Sequence, residues 1–444
     1  MSAAFEGLSC PCCFRPGALC DDFNPADGPA KLAGLRNLMK ERNLGGYLVP
    51  SGDAHVSEYV SAADKRREWL TGFTGSAGTA LITSDEALLW TDGRYFVQAA
   101  AQLKGSPWTL MKQNEPGVPD LEVWVQARQA KLRDTYGLKM RVGVDPRLIS
   151  LSRADEWEAK GCMPLTYVSQ NLLDLVWGSK QPAVARNPVV PHPLVYSGES
   201  AAQKIRRVGQ AVAEAGGTAL ILNALDQICW LHNLRGSDIE CNPVFLAYAI
   251  LRLGTATPVP PEAGTRPPAE QLACFPCTPE GALSCGECND AAVEYTVTLY
   301  VRCLDAPVDH LQVAQIRSHL AKEGCLPEER VVVELRPYAS FGADEAAATA
   351  GAVGPPAGSA EPVVLLERMS CTPAMAASLA PAARKLVGCS PAEKFKACKN
   401  EAEIRGLVSA GRKDAAAIVS FLSWVTEAVQ VRDHGLHSIS ASFT

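Results

Sequence analysis

Apolar positions recur at three- and four-residue steps through Leu32, Leu35, Leu38 and Met39, which sets them on one face of a helix that starts at Pro29. Gly45-Gly46 can supply the left-handed cap that ends it, and Tyr47-Leu48-Val49 then reads as a strand. Thr79 to Thr83 and Ala87 to Thr91 are two apolar runs around Ser84-Asp85-Glu86, a hairpin by length and turn chemistry. A short helix from Arg94 to Gln102 and an interior strand at Val142-Gly143-Val144-Asp145 follow, and the unit ends after Leu175-Val176-Trp177.

The same order then begins again. Ser200 is a cap for a helix through Ala213, Gly216-Gly217 ends it, and Thr218 to Leu222 is a strand. Pro243 to Leu251 is a continuous apolar run, as expected of a strand covered on both faces. Alternating Tyr295 to Tyr300, a helix around Val313 to Leu320, a strand at Val331 to Leu335 and one last strand at Pro362 to Leu366 complete the second unit. An eight-residue pattern marks both copies: Trp69-Leu70-Thr71-Gly72-Phe73-Thr74-Gly75-Ser76 and Trp230-Leu231-His232-Asn233-Leu234-Arg235-Gly236-Ser237. The chain therefore reads as a duplicated α/β domain.

The expected boundaries are a disordered leader over 1–28, a first domain over 29–178, a Pro-rich linker over 179–193 and a second domain over 194–390. The second domain carries a Pro- and Cys-rich insert at 252–292 and a loose Ala/Gly/Pro segment at 343–360. A third segment, 391–444, is one or two helices between Ala392 and Val429, rich in Lys and Glu at first and apolar later.

A length of 444 residues fits two domains and a further start. The net charge of −6 with no basic block argues against a nucleic-acid surface. No apolar run approaches a membrane span and the N-terminus lacks the form of a signal peptide, so a soluble cytoplasmic protein is expected. Its 16 cysteines are spread widely and are expected as reduced thiols. Cys274, Cys277, Cys285 and Cys288 have paired-knuckle spacing for zinc, although their short separation and Pro-rich surroundings equally suit an unstructured insert.

The sharpest chemical cluster is Trp90-Thr91-Asp92-Gly93-Arg94-Tyr95, where a strand end and a tight turn deliver Asp92, Arg94 and Tyr95 together. Such a placement can present a guanidinium to a ligand carboxylate or carbonyl, or simply pair Asp92 with Arg94 at a turn. Arg235 and Asp238 are expected to pair across a second turn, and His232 reads as a packed core residue. Asp433, His434 and His437 lie close together, but Gly435 argues against the helix that would align them as metal ligands. Phosphate-loop, nucleophile-elbow and His-Glu-x-x-His patterns are missing.

Pro50 to His55, Gly72 to Ala80 and Trp90 to Phe96 closely resemble the cytosolic Xaa-Pro aminopeptidases, or aminopeptidase P, in their long three-domain form. The likeness continues through Arg141 to Pro146, Asn233 to Pro243 and Lys396 to Glu401, and spans roughly residues 30 to 430. It implies two creatinase-like N-terminal domains, each a mixed sheet with helices, followed by the first helices of a truncated pita-bread metallopeptidase domain. It also implies removal of the N-terminal residue from peptides with proline in the second position, two manganese ions that activate a bridging water, and a homodimer. Arg94 is then the substrate-binding residue, supported by Asp92 and Tyr95. The family's metal ligands lie beyond the point where this chain stops, so no catalytic or metal-binding residue is expected here and the chain is expected to be inactive as written. The alternative is a non-catalytic creatinase-like binding or dimerisation module, including a partner that lends Arg94 to a full-length subunit.

Overall fold

The computed structural model describes residues 27–136, 140–159, 165–254, 295–342, 362–379 and 383–430. The cysteines at 274–288, the Asp433-His434-His437 cluster, the leader and most of the two inserts lie outside the described residues.

In the first unit the strands are β1 (Gly46–Val49), β2 (Thr79–Thr83), β3 (Ala87–Thr91), β4 (Thr109–Lys112), β5 (Val142–Val144) and β6 (Leu165–Tyr167). The helices are α1 (Gly28–Glu41), α2 (Arg66–Thr71), α3 (Phe96–Gln102), α4 (Leu121–Tyr136), α5 (Leu151–Ala159) and α6 (Leu172–Trp177). The strands form one sheet in the order β4-β3-β2-β1-β5-β6, with β1, β2 and β3 antiparallel neighbours and the other pairings parallel.

Alternate side chains fill opposite faces of this sheet, as the two-residue period of a strand requires. Tyr47, Val49, Ala80, Ile82 and Leu89 meet Leu32, Leu35 and Met39 of α1 with Leu172 and Leu173 of α6. Leu48, Leu81, Leu88, Trp90, Val142 and Val144 meet Leu121 and Val125 of α4 with Ala154 and Trp157 of α5. Gly143 is obligatory here because a Cβ would lie 2.7 Å from Leu44.

In the second unit, α7 (Leu194–Ser197) and α8 (Ala201–Glu214) precede β8 (Ala219–Leu222) and α9 (Leu225–His232). Then come β10 (Ala247–Leu253), β11 (Tyr295–Val301), α10 (His310–Lys322), β12 (Val331–Pro337), β13 (Val364–Glu367), α11 (Pro373–Ser378) and β14 (Arg384–Val387). The sheet order β12-β11-β10-β8-β13-β14 repeats the first, pairing for pairing, antiparallel and parallel alike. A two-stranded pair, β7 (Val190–Pro191) with β9 (Leu234–Arg235), lies beside it. A full capping box starts α8: Ser200 accepts from the Gln203 amide and the Gln203 side chain accepts from the Ser200 amide. The duplication reaches single contacts. Lys31 in α1 donates to the Trp69 carbonyl at 2.9 Å, and Lys204 in α8 donates to the Trp230 carbonyl at 3.0 Å.

Three expectations need correction. The left-handed cap after α1 is Asn43, at φ 53°, not Gly45-Gly46; those glycines instead let Met140 pack close, since a Cβ at either would lie 2.9 Å from its side chain. In the second copy Gly216 does take the left-handed conformation, at φ 72°. Pro362 to Leu366 is not the last strand, because β14 follows as a charged edge strand whose Arg384 and Lys385 hide its pattern. The strand expected from Pro243 starts only at Ala247 and runs on to Leu253, two residues into the expected insert.

One face of the second sheet is packed by α8, α9, α10 and α12 (Pro391–Ala397), whose Ala392 is wholly buried in that core. The other face meets α11 and also Leu151 of the first unit. The Leu151 and Ser152 amides donate to the Cys371 and Arg368 carbonyls, both at 2.8 Å. His55 completes this junction: it is buried between the units, with Nδ1 3.0 Å from the Asn223 carbonyl and Nε2 2.9 Å from the Tyr338 hydroxyl. After α12, the 30-residue helix α13 (Glu401–Gln430) is anchored at its start, where Asn400 accepts from the Glu403 amide and donates to the Ser197 carbonyl.

Candidate functional site

The two Trp-Leu patterns do the same local work. Each closes a short helix, α2 or α9, and turns the chain through a left-handed residue, Gly72 at φ 76° and Asn233 at φ 50°. Gly tolerates this conformation freely and Asn better than most residues. In the first copy the loop then runs past Gly75, where a Cβ would lie 2.3 Å from the Phe73 ring, and Gly78, where it would lie 2.9 Å from the Trp90 carbonyl.

Arg67 holds this loop from inside. It shares the buried face of α2 with Leu70 and Thr71. Its Nη1 donates to the Ser51 hydroxyl at 2.5 Å and to the Gly78 carbonyl at 3.4 Å, and Nη2 donates to the Gly75 carbonyl.

The Asp92-Arg94-Tyr95 cluster sits at the end of β3, beside that loop. Asp92 caps a single 3-10 turn, Gly93–Tyr95, by accepting from the Arg94 amide at 3.0 Å. The same carboxylate takes Arg94 Nε and Nη2, each at 2.9 Å, in a two-pronged pair that leaves 65% of the Arg94 side chain exposed. The Arg94 hydrogen bonds pull the Asp92 carboxyl below its usual range, and Asp92 in turn pushes Arg94 further up. Tyr95 links the turn to the loop: its hydroxyl lies 2.7 Å from the Ser76 hydroxyl and its ring meets Phe73 edge-on at 5.9 Å. The structure thus realises the Asp92–Arg94 turn pair and also leaves a guanidinium edge facing outward.

Between this cluster and the second unit lies a pocket of about 280 Å³. Ser51, Glu58, Tyr59, Lys65, Arg67, Thr74, Gly75 and Ser76 form its wall, and Glu240 with Cys241 close it from the second unit. A larger cavity of about 540 Å³ shares Glu58 and Tyr59 and runs along the junction past His55, Asp226, Glu367 and Glu393. The polar wall can orient a ligand through hydroxyls and a cation.

The turn expected to pair Arg235 with Asp238 is built differently. Asp238 accepts from the Asn187 amide at 2.7 Å and the Leu246 amide at 2.9 Å, tying the linker to the sheet. His232 is a core residue, fully buried with Nδ1 2.8 Å from the Ile228 carbonyl. Sequence reasoning passed over Arg67; its place three and four residues before Leu70 and Thr71 was the available signal. Among the described residues no group of three or more His, Cys, Asp or Glu side chains can hold a metal ion, so the donors described do not fit a dinuclear centre. No described helix is long and apolar enough to cross a membrane.

Residues 31–172 match a model of the creatinase/prolidase N-terminal domain, and residues 180–258 match a second model of that domain. Two stretches of the chain are thus similar to creatinase/prolidase N-terminal domains. Among curated proteins, a probable Xaa-Pro aminopeptidase P of Talaromyces marneffei is 34% identical over 407 residues, covering 91% of this chain and 52% of the relative. A protein of the same name from Coprinopsis cinerea is 34% identical over 408 residues, covering 91% of this chain and 56% of the relative. The chain spans about half the length of these curated relatives. A crystal structure of the X-prolyl aminopeptidase of Caenorhabditis elegans, described as a cytosolic enzyme with a di-nuclear active site, superposes with a TM-score of 0.69 at 24% identity. It covers 91% of this chain and 57% of that one, and supports the fold.

Proposed function

We propose that this chain supplies the N-terminal, substrate-facing domains of a metal-dependent Xaa-Pro aminopeptidase, which removes the first residue from peptides with proline in the second position. In this reading the assembly is a cytoplasmic homodimer that works with two manganese ions. The described residues offer no ligand set for those ions, so the hydrolytic step is not assigned to them. The observation that carries the reading is Arg94, held in a fixed orientation by Asp92 while most of its side chain stays open to a ligand. A charged, pre-oriented guanidinium suits a peptide carbonyl or carboxylate.

The test is peptide binding and turnover by the purified chain. A peptide with proline in the second position should bind, Arg94→Ala should weaken that binding, and added manganese should give no release of the first residue. Manganese-dependent turnover by the chain alone would refute the assignment of hydrolysis away from the described residues.

A second reading, a non-catalytic binding or dimerisation module, draws on α13. Ile404, Leu407, Val408, Ile418, Val419, Phe421, Leu422 and Trp424 are between 42% and 65% exposed along it, an apolar surface of the kind that meets another protein surface.

A further inference from the structure

We propose that the pocket lined by Arg67 and the Thr74-Gly75-Ser76 loop takes the C-terminal carboxylate of a short peptide and that Arg67 is the group that receives it. The inference rests on the peptide reading above and deepens it by naming which end of the ligand enters.

Arg67 is only 6% exposed, yet every acceptor its guanidinium meets is neutral: one serine hydroxyl and two backbone carbonyls. Its Nε is buried with no partner at all. Arg36 of the same unit likewise donates only to carbonyls, those of Thr83 and Glu86, but it is less buried than Arg67, and two other arginines carry carboxylate partners. Arg66 pairs with Asp64 and Asp174, and Arg147 with Asp145. Glu68 attracts the Arg67 cation through space but makes no hydrogen bond to it, so the buried guanidinium is only partly compensated, and the low local dielectric strengthens its pull on an anion that could bond it directly. Burial lowers the Arg67 pKa to about 10, which still leaves it charged at neutral pH.

Arg94 is a poorer receiver of a full negative charge, because Asp92 already neutralises it. The pocket volume of about 280 Å³ is at the small end for ligand sites and admits a chain terminus rather than a folded surface. The wall also favours a peptide over a simple inorganic anion. Glu58, Glu68 and Glu240 line the same space with Lys65, so any anion meets both signs of charge, but only a peptide also brings amide N–H groups to the carboxylates as its terminus meets Arg67.

The test uses the whole chain and calorimetric titration of one tripeptide, Ala-Pro-Ala, as the free acid and as the C-terminal amide. The free acid is expected to bind about ten- to a hundredfold more tightly, the effect of a hydrogen bond to a charged group. In Arg67→Met, with folding checked by its thermal transition, that preference should vanish. The acid-against-amide comparison needs no variant, so it stands even if Arg67→Met fails to fold. Equal binding of both forms would overturn the inference; if Arg94→Ala then weakened both alike, the peptide reading would survive without it. A preference that persists in folded Arg67→Met would overturn the role of Arg67. Binding of neither form would overturn the inference and the peptide reading together.

Discussion

His232 should make the protein acid-sensitive by an amount that can be worked out from its surroundings. Burial lowers its pKa from the usual 6.5 to about 4; the hydrogen bond to the Ile228 carbonyl opposes this, while His319 and Lys204 add to it. Nε2 has no partner, so a second proton there would find no acceptor. In the unfolded chain the ring takes up a proton near pH 6.5, whereas the folded chain resists until about pH 4. Stability from this residue is therefore complete above about pH 6.5 and is lost as pH falls from there towards 4. Over the whole window the loss is about 3 kcal/mol, at 1.36 kcal/mol per unit, and between about pH 7 and pH 5 it is about 2 kcal/mol.

The assay is urea unfolding of the unsubstituted chain and His232→Phe at those two pH values. The variant gives up the bond to Ile228, at about 1 kcal/mol, but has nothing to protonate. Its loss on acidification should be smaller than that of the unsubstituted chain by about 2 kcal/mol. The difference matters because His55 is also held below its usual range by burial and contributes acid sensitivity to both proteins. If the two chains lose stability in parallel, the account of His232 is wrong.

Gly75→Ala should destabilise the first unit by about 1–3 kcal/mol, because the new methyl would meet Phe73 at 2.3 Å and Tyr95 at 2.7 Å; a thermal midpoint unchanged within error would contradict it. Replacing Leu407 and Leu422, 58% and 55% exposed on α13, by Glu should reduce self-association in sedimentation velocity. Unaltered sedimentation in a sample that self-associates would mean that another surface is responsible.

Much of the fold was legible because both sheets are covered on each face and their inner strands are apolar throughout. Strands β2, β3 and β5 fall where the apolar runs predict them, and the repeat of the Trp-Leu pattern predicts a second sheet like the first. The misses are the edges. Strands β4, β6 and β14 are short and half exposed, with Lys, Thr or Arg in the pattern, so local periodicity carries little signal. At the site, the Asp92-Arg94-Tyr95 turn was readable from adjacent residues. Arg67 was not, because its importance lies in what it touches across the loop, 8 to 16 residues away in the chain.

The two loops after the Trp-Leu patterns have taken opposite fates. In the second copy Asn233 receives Lys204 at 2.7 Å, donates to Glu199 and Glu323 at 2.8 Å each, and takes the His192 amide on its carbonyl, while Asp238 fastens the linker. That loop is a seam, with Asn233 and Asp238 both engaged in joining parts of the chain. In the first copy the corresponding loop surrounds a guanidinium hydrogen-bonded only to neutral acceptors, beside a pocket. A gene that doubles a domain thus acquires one copy committed to joinery and another whose loop can be re-lined for new ligands without loosening the joint.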